Sequence, residues 1–231
     1  SVVIDGPNGK EYRLPTDEER ASTDRAEAEL ENLFDEIPFG VPTEPMPGEN
    51  ALGMRIPKYG FKEWKDLFTS RQLVALGTFV KHTRRVREAM KSFDYGPAWR
   101  EGISAYLASS VDRFADYNSN LCNWDNNSEY ITHTFQRFAL PIKWDFSSVN
   151  PLSGSTGAYD GALDWISRYV SHALQATNGE VTVQQQSATS QLPSDLDAIV
   201  TDPPYYDAIP YSDSMDFFHV WLRRSLHGLS E

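Results

Sequence analysis

The stretch Asp197-Ala198-Ile199-Val200-Thr201-Asp202-Pro203-Pro204-Tyr205-Tyr206-Asp207 decides how the chain reads. Ala198 to Thr201 is a short apolar, β-branched run, the pattern of a buried strand, and two prolines stop it. Each proline fixes its own φ, offers no N–H, and pushes the preceding residue out of the helical region. The pattern predicts a stiff loop at the carboxyl end of a strand, where open α/β sheets place their ligands. That loop carries a carboxylate on Asp202, bare carbonyls on Pro203 and Pro204, and an aromatic face on Tyr205. The set suits a planar base bearing an exocyclic NH₂. Asp202 and the Pro203 carbonyl accept its two N–H bonds while Tyr205 stacks on the ring.

Asp202-Pro203-Pro204-Tyr205 resembles the catalytic motif of amino-methyltransferases that act on adenine N6 or cytosine N4 with S-adenosylmethionine. The longer run TDPPYYDAIPYSDSMDFFHVWLRR, residues 201–224, resembles the large adenine-specific DNA methylases that carry the DUF1156 region, some with an added zinc ribbon. YGFKEWKDLFTSRQ, residues 59–72, and the block 118–150 resemble the same family. The resemblance implies an α/β fold: a partial Rossmann-like, S-adenosylmethionine-dependent methyltransferase sheet preceded by a largely helical insertion region. The expected organisation is an acidic helix and Pro-rich linker over 1–55, a mainly helical region over 56–178, and strand, loop and helix of the catalytic domain over 179–231.

The same resemblance implies methylation of adenine N6 in DNA, with the base flipped out, in a restriction-modification or phage-defence setting with possible defence-system subunits as partners. Asp202, Pro203, Pro204 and Tyr205 would be catalytic, and Tyr205, Tyr206 and Asp207 would bind substrate. Aspartate at the first motif position points to adenine, since cytosine N4 enzymes more often carry serine there. Cytosine N4, RNA, and a catalytically silent DNA-binding or scaffold subunit stay as alternatives.

The cofactor side is thinner. Val181-Thr182-Val183 alternates as a strand, and the place that in similar methylases borders the cofactor's adenine through an acidic residue is Ser187-Ala188 here. Ser187 is the cofactor contact expected, through its backbone. The Gly-rich cofactor loop resembling D-P-F-x-G-x-G does not occur in residues 1–231. The chain therefore reads as an internal fragment of a larger methylase, inactive alone.

Composition sets the outer bounds. With 40% hydrophobic and 13% aromatic residues, a real core is expected rather than global disorder. The single cysteine, Cys122, excludes an internal disulfide framework or a Cys-rich zinc site, so no metal is expected. No apolar run approaches a membrane span, and a cytoplasmic location is the default. The net charge is −12, but residues 1–50 hold 13 acids and 4 bases, against 20 and 17 in the rest. The acidity is mostly N-terminal.

Four helices precede the motif. Thr16 to Glu19 reads as a capping box opening a helix to about Phe34. Ile37 to Gly48, with four prolines and two glycines, reads as an extended linker. Thr69 or Ser70 caps a second helix with Leu73, Leu76 and Val80 inward and Lys81, Arg84, Arg85 and Arg87 near its end. That basic cluster suits either DNA phosphates or the helix dipole. A third runs from Ala98 to about Tyr117 with Ile103, Leu107, Val111 and Phe114 on one stripe. Asn118, Asn120, Asn123, Trp124 and His133 form a possible base-reading surface, with a satisfied structural histidine as the other reading. Pro151 to Gly157 is a Gly/Ser turn, or an anion cradle, before a helix from Tyr159 to Leu174. After the motif, Ser212 is expected to cap a helix whose Met215, Phe218 and Leu222 pack, widened by Phe217 and Trp221. Arg223 and Arg224, in its last turn, suit phosphate or the dipole.

Overall fold

Thr16 opens helix α1 (Asp17–Asp35) by a reciprocal cap: its hydroxyl accepts from Glu19 N at 3.2 Å, and Glu19 accepts from Thr16 N at 2.7 Å. Arg13 forks onto the same carboxylate at 2.8 and 2.7 Å and holds it down, to a pKa of about 2. Arg13 closes a hairpin of β1 (Val2–Gly6) and β2 (Gly9–Arg13), paired antiparallel from Val2↔Arg13 to Gly6↔Gly9. The computed structural model describes all residues except 49, 52, 137, 138, 177, 178, 180, 193, 195, 207, 230 and 231.

Helix α2 (Ser70–Ala89) starts the same way. Thr69 accepts from Gln72 N, Gln72 accepts from Thr69 N, and the Gln72 amide reaches Ser148 at 3.0 Å. Its Gly77 lies directly against α1: a Cβ there would meet Phe34 at 2.9 Å and Leu33 at 3.0 Å. Only hydrogen at that position lets the two backbones approach so closely. Helix α3 (Pro97–Asp116) runs through the centre and touches α2, α4 (Tyr159–Ala176) and α5 (Tyr211–Leu226). A second small hairpin, β3 (Trp124–Asp125) with β4 (Tyr130–Ile131), completes the elements among the described residues, apart from three short 3₁₀ turns. The architecture is mixed: helices around one core, with two small antiparallel sheets.

Leu73, Leu76 and Val80 of α2, Val111 and Phe114 of α3, and Phe217, Val220 and Trp221 of α5 meet in that core. Phe217 is its hub. It stacks on Phe68 at 5.8 Å and meets Trp64, Phe135 and Phe218 edge-on at 6.0, 5.2 and 5.1 Å.

The structure departs from the sequence expectations at four places. Among the described residues no partial Rossmann-like sheet is present: neither 181–183 nor 198–201 is a strand, and Val200 is 95% exposed. A strand needs a neighbour for its backbone N–H and C=O groups, and none of the described elements lies alongside. The stretch 37–48 is packed rather than extended: Ile37 and Met46 are buried, and the carbonyls of Phe39, Gly40 and Val41 are bonded by Arg224. Pro210, not Ser212, sits at the cap of α5, with no side-chain bond to the helix. The buried face of α5 is Phe217, Val220, Trp221, Arg224 and Ser225, while Met215 stands exposed.

Candidate functional site at residues 202–206

Asp202, Pro203, Pro204, Tyr205 and Tyr206 follow one another on an exposed loop four residues before α5. Tyr206 is 98% exposed and Tyr205 67%. The loop is tied to the helix by Tyr205 N, which donates to the Tyr211 hydroxyl at 3.4 Å, and by Ala208 N, which donates to the Tyr205 carbonyl at 3.4 Å. The Asp202 carboxylate makes no ion pair among the described residues. The acceptors and ring proposed from sequence are thus solvent-facing, and Asp207 lies outside the described residues.

Helix α5 anchors this loop from the far side. Arg224, fully buried, donates from Nη1 and Nη2 to Glu44 at 2.8 and 3.0 Å, from Nε to the Gly40 carbonyl at 2.7 Å, and from Nη2 to the Phe39 and Val41 carbonyls. Arg223 joins Glu44 at 3.2 Å and lies 3.7 Å over the Phe39 ring. At the helix end, Arg84 donates to the carbonyls of Arg224 and His227, and Arg87 donates to that of His227. Orphan carbonyls at a helix C-terminus are where cations bind best. The dipole being matched is α5's, not that of α2, which carries these arginines. Lys81 and Arg85 reach Glu36 at 2.5 and 3.7 Å. Arg84, Arg87, Arg223 and Arg224 are thus engaged with the fold, whereas Lys81 and Arg85 pair with Glu36 at the surface.

Ser187 does not join the motif. Its hydroxyl pairs with Thr189 at 2.9 Å on an exposed turn, and no described residue builds a cradle around it. The Gly/Ser stretch 151–157 is a stitched turn. Leu152 N donates to Asn150 Oδ1, Ser155 N to Ser153 Oγ, and Ala158 N to the Ser155 carbonyl. Gly157 turns with φ 86° where a Cβ would strike Tyr117 at 2.9 Å. Neither Ser187 nor the turn 151–157 builds a cofactor cradle among the described residues.

In the Asn-rich block, Asn118 and Trp124 are tied into the fold, whereas the Oδ1 atoms of Asn120 and Asn123 are buried without a partner among the described residues. Asn118 is buried and donates to the Phe114 carbonyl, and Trp124 Nε1 donates to the Tyr12 hydroxyl. His133 Nδ1 lies 3.2 Å from Asp116 Oδ2, whose other oxygen accepts from Phe135 N. Burial raises the Asp116 pKa against the pull of His133. Cys122 is buried beside Ser119 and Thr134, with its thiol pushed up by desolvation. Burial also lifts Asp112 of α3 to about 8, and its Oδ1 meets no partner among the described residues. Neither Asp112 nor the Arg224–Glu44 anchor was singled out from sequence as a partnered or buried charge. A lone acid within an apolar helical stretch is the signal that could have found Asp112.

Comparison with protein-family models, with curated proteins and with solved structures finds no match for this chain.

Proposed function

We propose that the chain carries the catalytic loop of an S-adenosylmethionine-dependent amino-methyltransferase acting on adenine N6 in DNA. The observation that carries the reading is Asp202-Pro203-Pro204-Tyr205 presented to solvent on a proline-stiffened loop and braced against α5 through Tyr211. In this reading the β-branched run 198–201 is the strand of a Rossmann-like sheet once it is paired.

The chemistry on this chain's side concerns the amine. The adenine amine is a poor nucleophile because its lone pair is delocalised into the ring. Asp202 Oδ and the Pro203 carbonyl each accept one of its N–H bonds. They favour a more tetrahedral nitrogen and stabilise the positive charge that grows on it, as fixed dipoles do at developing charge. Tyr205 offers its face to the ring and offsets part of the unstacking that flipping requires. The cofactor supplies the electrophilic methyl group.

In cells that express the protein, Asp202→Ala should remove N6-methyladenine from cellular DNA, measured by mass spectrometry of its nucleosides. Losing that acceptor should slow transfer by about 10²-fold or more. Methylation persisting at the wild-type level sinks the reading. A second reading, a DNA-binding scaffold that retains the loop, is favoured by the lack of a cofactor cradle among the described residues. It predicts no methylation by the unmodified protein either.

A further inference from the structure

A cleft of about 510 Å³ opens beside the N-terminus of α2, lined by Tyr59, Gly60, Phe61, Lys65, Asp66, Phe68, Ser70 and Leu73. We infer that it binds single-stranded nucleic acid, holding one amine-bearing base against its aromatic wall and the adjoining phosphates on its lysine rim. The inference stands apart from methyl transfer, since it concerns other residues and needs no cofactor.

The wall and floor differ in kind. Phe68 and Leu73 are buried and form an apolar floor, whereas Tyr59 is 51% exposed. Trp144 stands against Tyr59 edge to face, with centroids 5.7 Å apart, and is 84% exposed. The irregular stretch carrying Trp144 is tied to this side of the molecule by Leu140 N donating to the Gly53 carbonyl and by the Gln72 amide donating to Ser148. Two large, mostly exposed aromatic rings thus stand at 89° to one another, Tyr59 lining the cleft and Trp144 beside it. Every base offers a π-face, so an exposed ring of this kind is a stacking platform.

Charge selects among planar ligands. Residues 55–71 contain five bases, Arg55, Lys58, Lys62, Lys65 and Arg71, against two acids, in a chain of net charge −12. Glu63 is bound by Lys65 at 2.6 Å, and Asp66 Oδ2 accepts from Lys62 N and Glu63 N. Lys58, Lys62 and Arg71, each one residue from a lining position, make no ion pair among the described residues. A locally basic rim around aromatic faces complements a polyanion of planar bases. Inside the cleft, Asp66 Oδ1 and the Ser70 hydroxyl make no hydrogen bond to a described residue, and a carboxylate only accepts. That favours bases with an exocyclic amine over thymine. The floor is also coupled to the motif: Phe68 stacks on Phe217, six residues beyond Tyr211, which holds the Tyr205 backbone.

The test is fluorescence anisotropy of a short labelled oligo-adenine strand with the full chain at low salt, without any methyl donor. Binding is expected, tighter than to oligo-thymine or to the same sequence as blunt duplex. Tyr59→Ala and Trp144→Ala should each weaken it by roughly 5- to 150-fold, and both side chains are exposed enough that thermal melting should stay unchanged. Lys62→Glu should lower the slope of log affinity on log salt by about 1. No binding, or equal binding of oligo-adenine by the aromatic variants and the wild type, overturns the inference. Loss on Lys62→Glu alone also overturns it, since that would describe a bare phosphate surface. Aromatic-dependent binding by a protein that fails the Asp202 test would leave this site standing and remove the methylation reading.

Discussion

Between Val181 and Tyr206 the chain leaves Val183, Ile199, Val200 and Tyr206 largely in water, whereas between Tyr211 and Leu226 it buries Phe217, Val220, Trp221 and Arg224. The two regions are neighbours, the second the more apolar, and they also differ in what each needs to become ordered. A helix bonds its own backbone and needs only one covered face, which α5 finds between α2 and α3. A strand satisfies nothing by itself and waits for a second strand on each edge. The motif loop sits at the join, stiffened by its prolines and braced by Tyr211, but covered by neither region.

The largest effect should come from breaking the anchored side. Arg224→Ala removes the buried donor from four backbone carbonyls and leaves Glu44 only Arg223, and should destabilise the chain by about 3–5 kcal/mol in urea unfolding. Arg223→Ala, at a more exposed position, should cost well under half of that.

Next comes Asp112, whose burial raises its folded pKa to about 8, above an ordinary carboxyl value near 4. A raised acid binds its proton more tightly when folded. Its contribution is complete below about pH 4 and is lost as the pH rises to about 8, by at most about 1.4 kcal/mol per unit. Asp112→Asn should flatten that fall and stabilise the protein at pH 8 by on the order of 2–4 kcal/mol, with little change at pH 4. An unchanged pH profile of the melting temperature would mean that the carboxyl is solvated.

Gly77→Ala tests the contact between α1 and α2. The added methyl meets the Phe34 ring at 2.9 Å and the Leu33 side chain at 3.0 Å, and overpacking of this kind costs about 1–3 kcal/mol. Calorimetric unfolding should show the loss despite alanine's better helix propensity.

The smallest effect sharpens the other side of the comparison. Val200→Asp should change the stability of this chain by no more than about 0.5 kcal/mol, because the side chain touches little here. Limited proteolysis should cut first between residues 181 and 206. A large loss of stability from Val200→Asp would show that the run is packed after all.

How much of this was legible in the sequence follows the range of each interaction. The box at Thr16 is complete within four residues and its helix begins where that pattern places it, and the second helix is capped by Thr69, one of the two caps the sequence offered. The boundaries of α3 and α4 follow their apolar periodicity to within about two residues. The inward face of α5 was legible in part: Phe217, Phe218 and Trp221 pack as expected, but Met215 is exposed and a charge, Arg224, occupies a core position, which breaks the stripe that an apolar pattern would show. Its partner Glu44 lies 180 residues away, in a proline-rich segment that looks like a linker until the guanidinium binds its carbonyls. At the motif, the order Asp-Pro-Pro-Tyr and its loop position were readable. Its exposure was not, since that depends on which strands pair.

The Arg224–Glu44 tie also bears on how the protein is made. Synthesis proceeds at about 5–20 residues per second, so the segment around Glu44 leaves the ribosome on the order of ten seconds before Arg224 exists. Through that interval Trp64, Phe68 and the inner faces of α2 and α3 lack their lid from α5. Closure of so distant a contact must follow the local helices rather than guide them. The nascent chain therefore displays an aromatic surface that a holding chaperone would recognise, and slowing translation between residues 90 and 210 should lengthen that exposure.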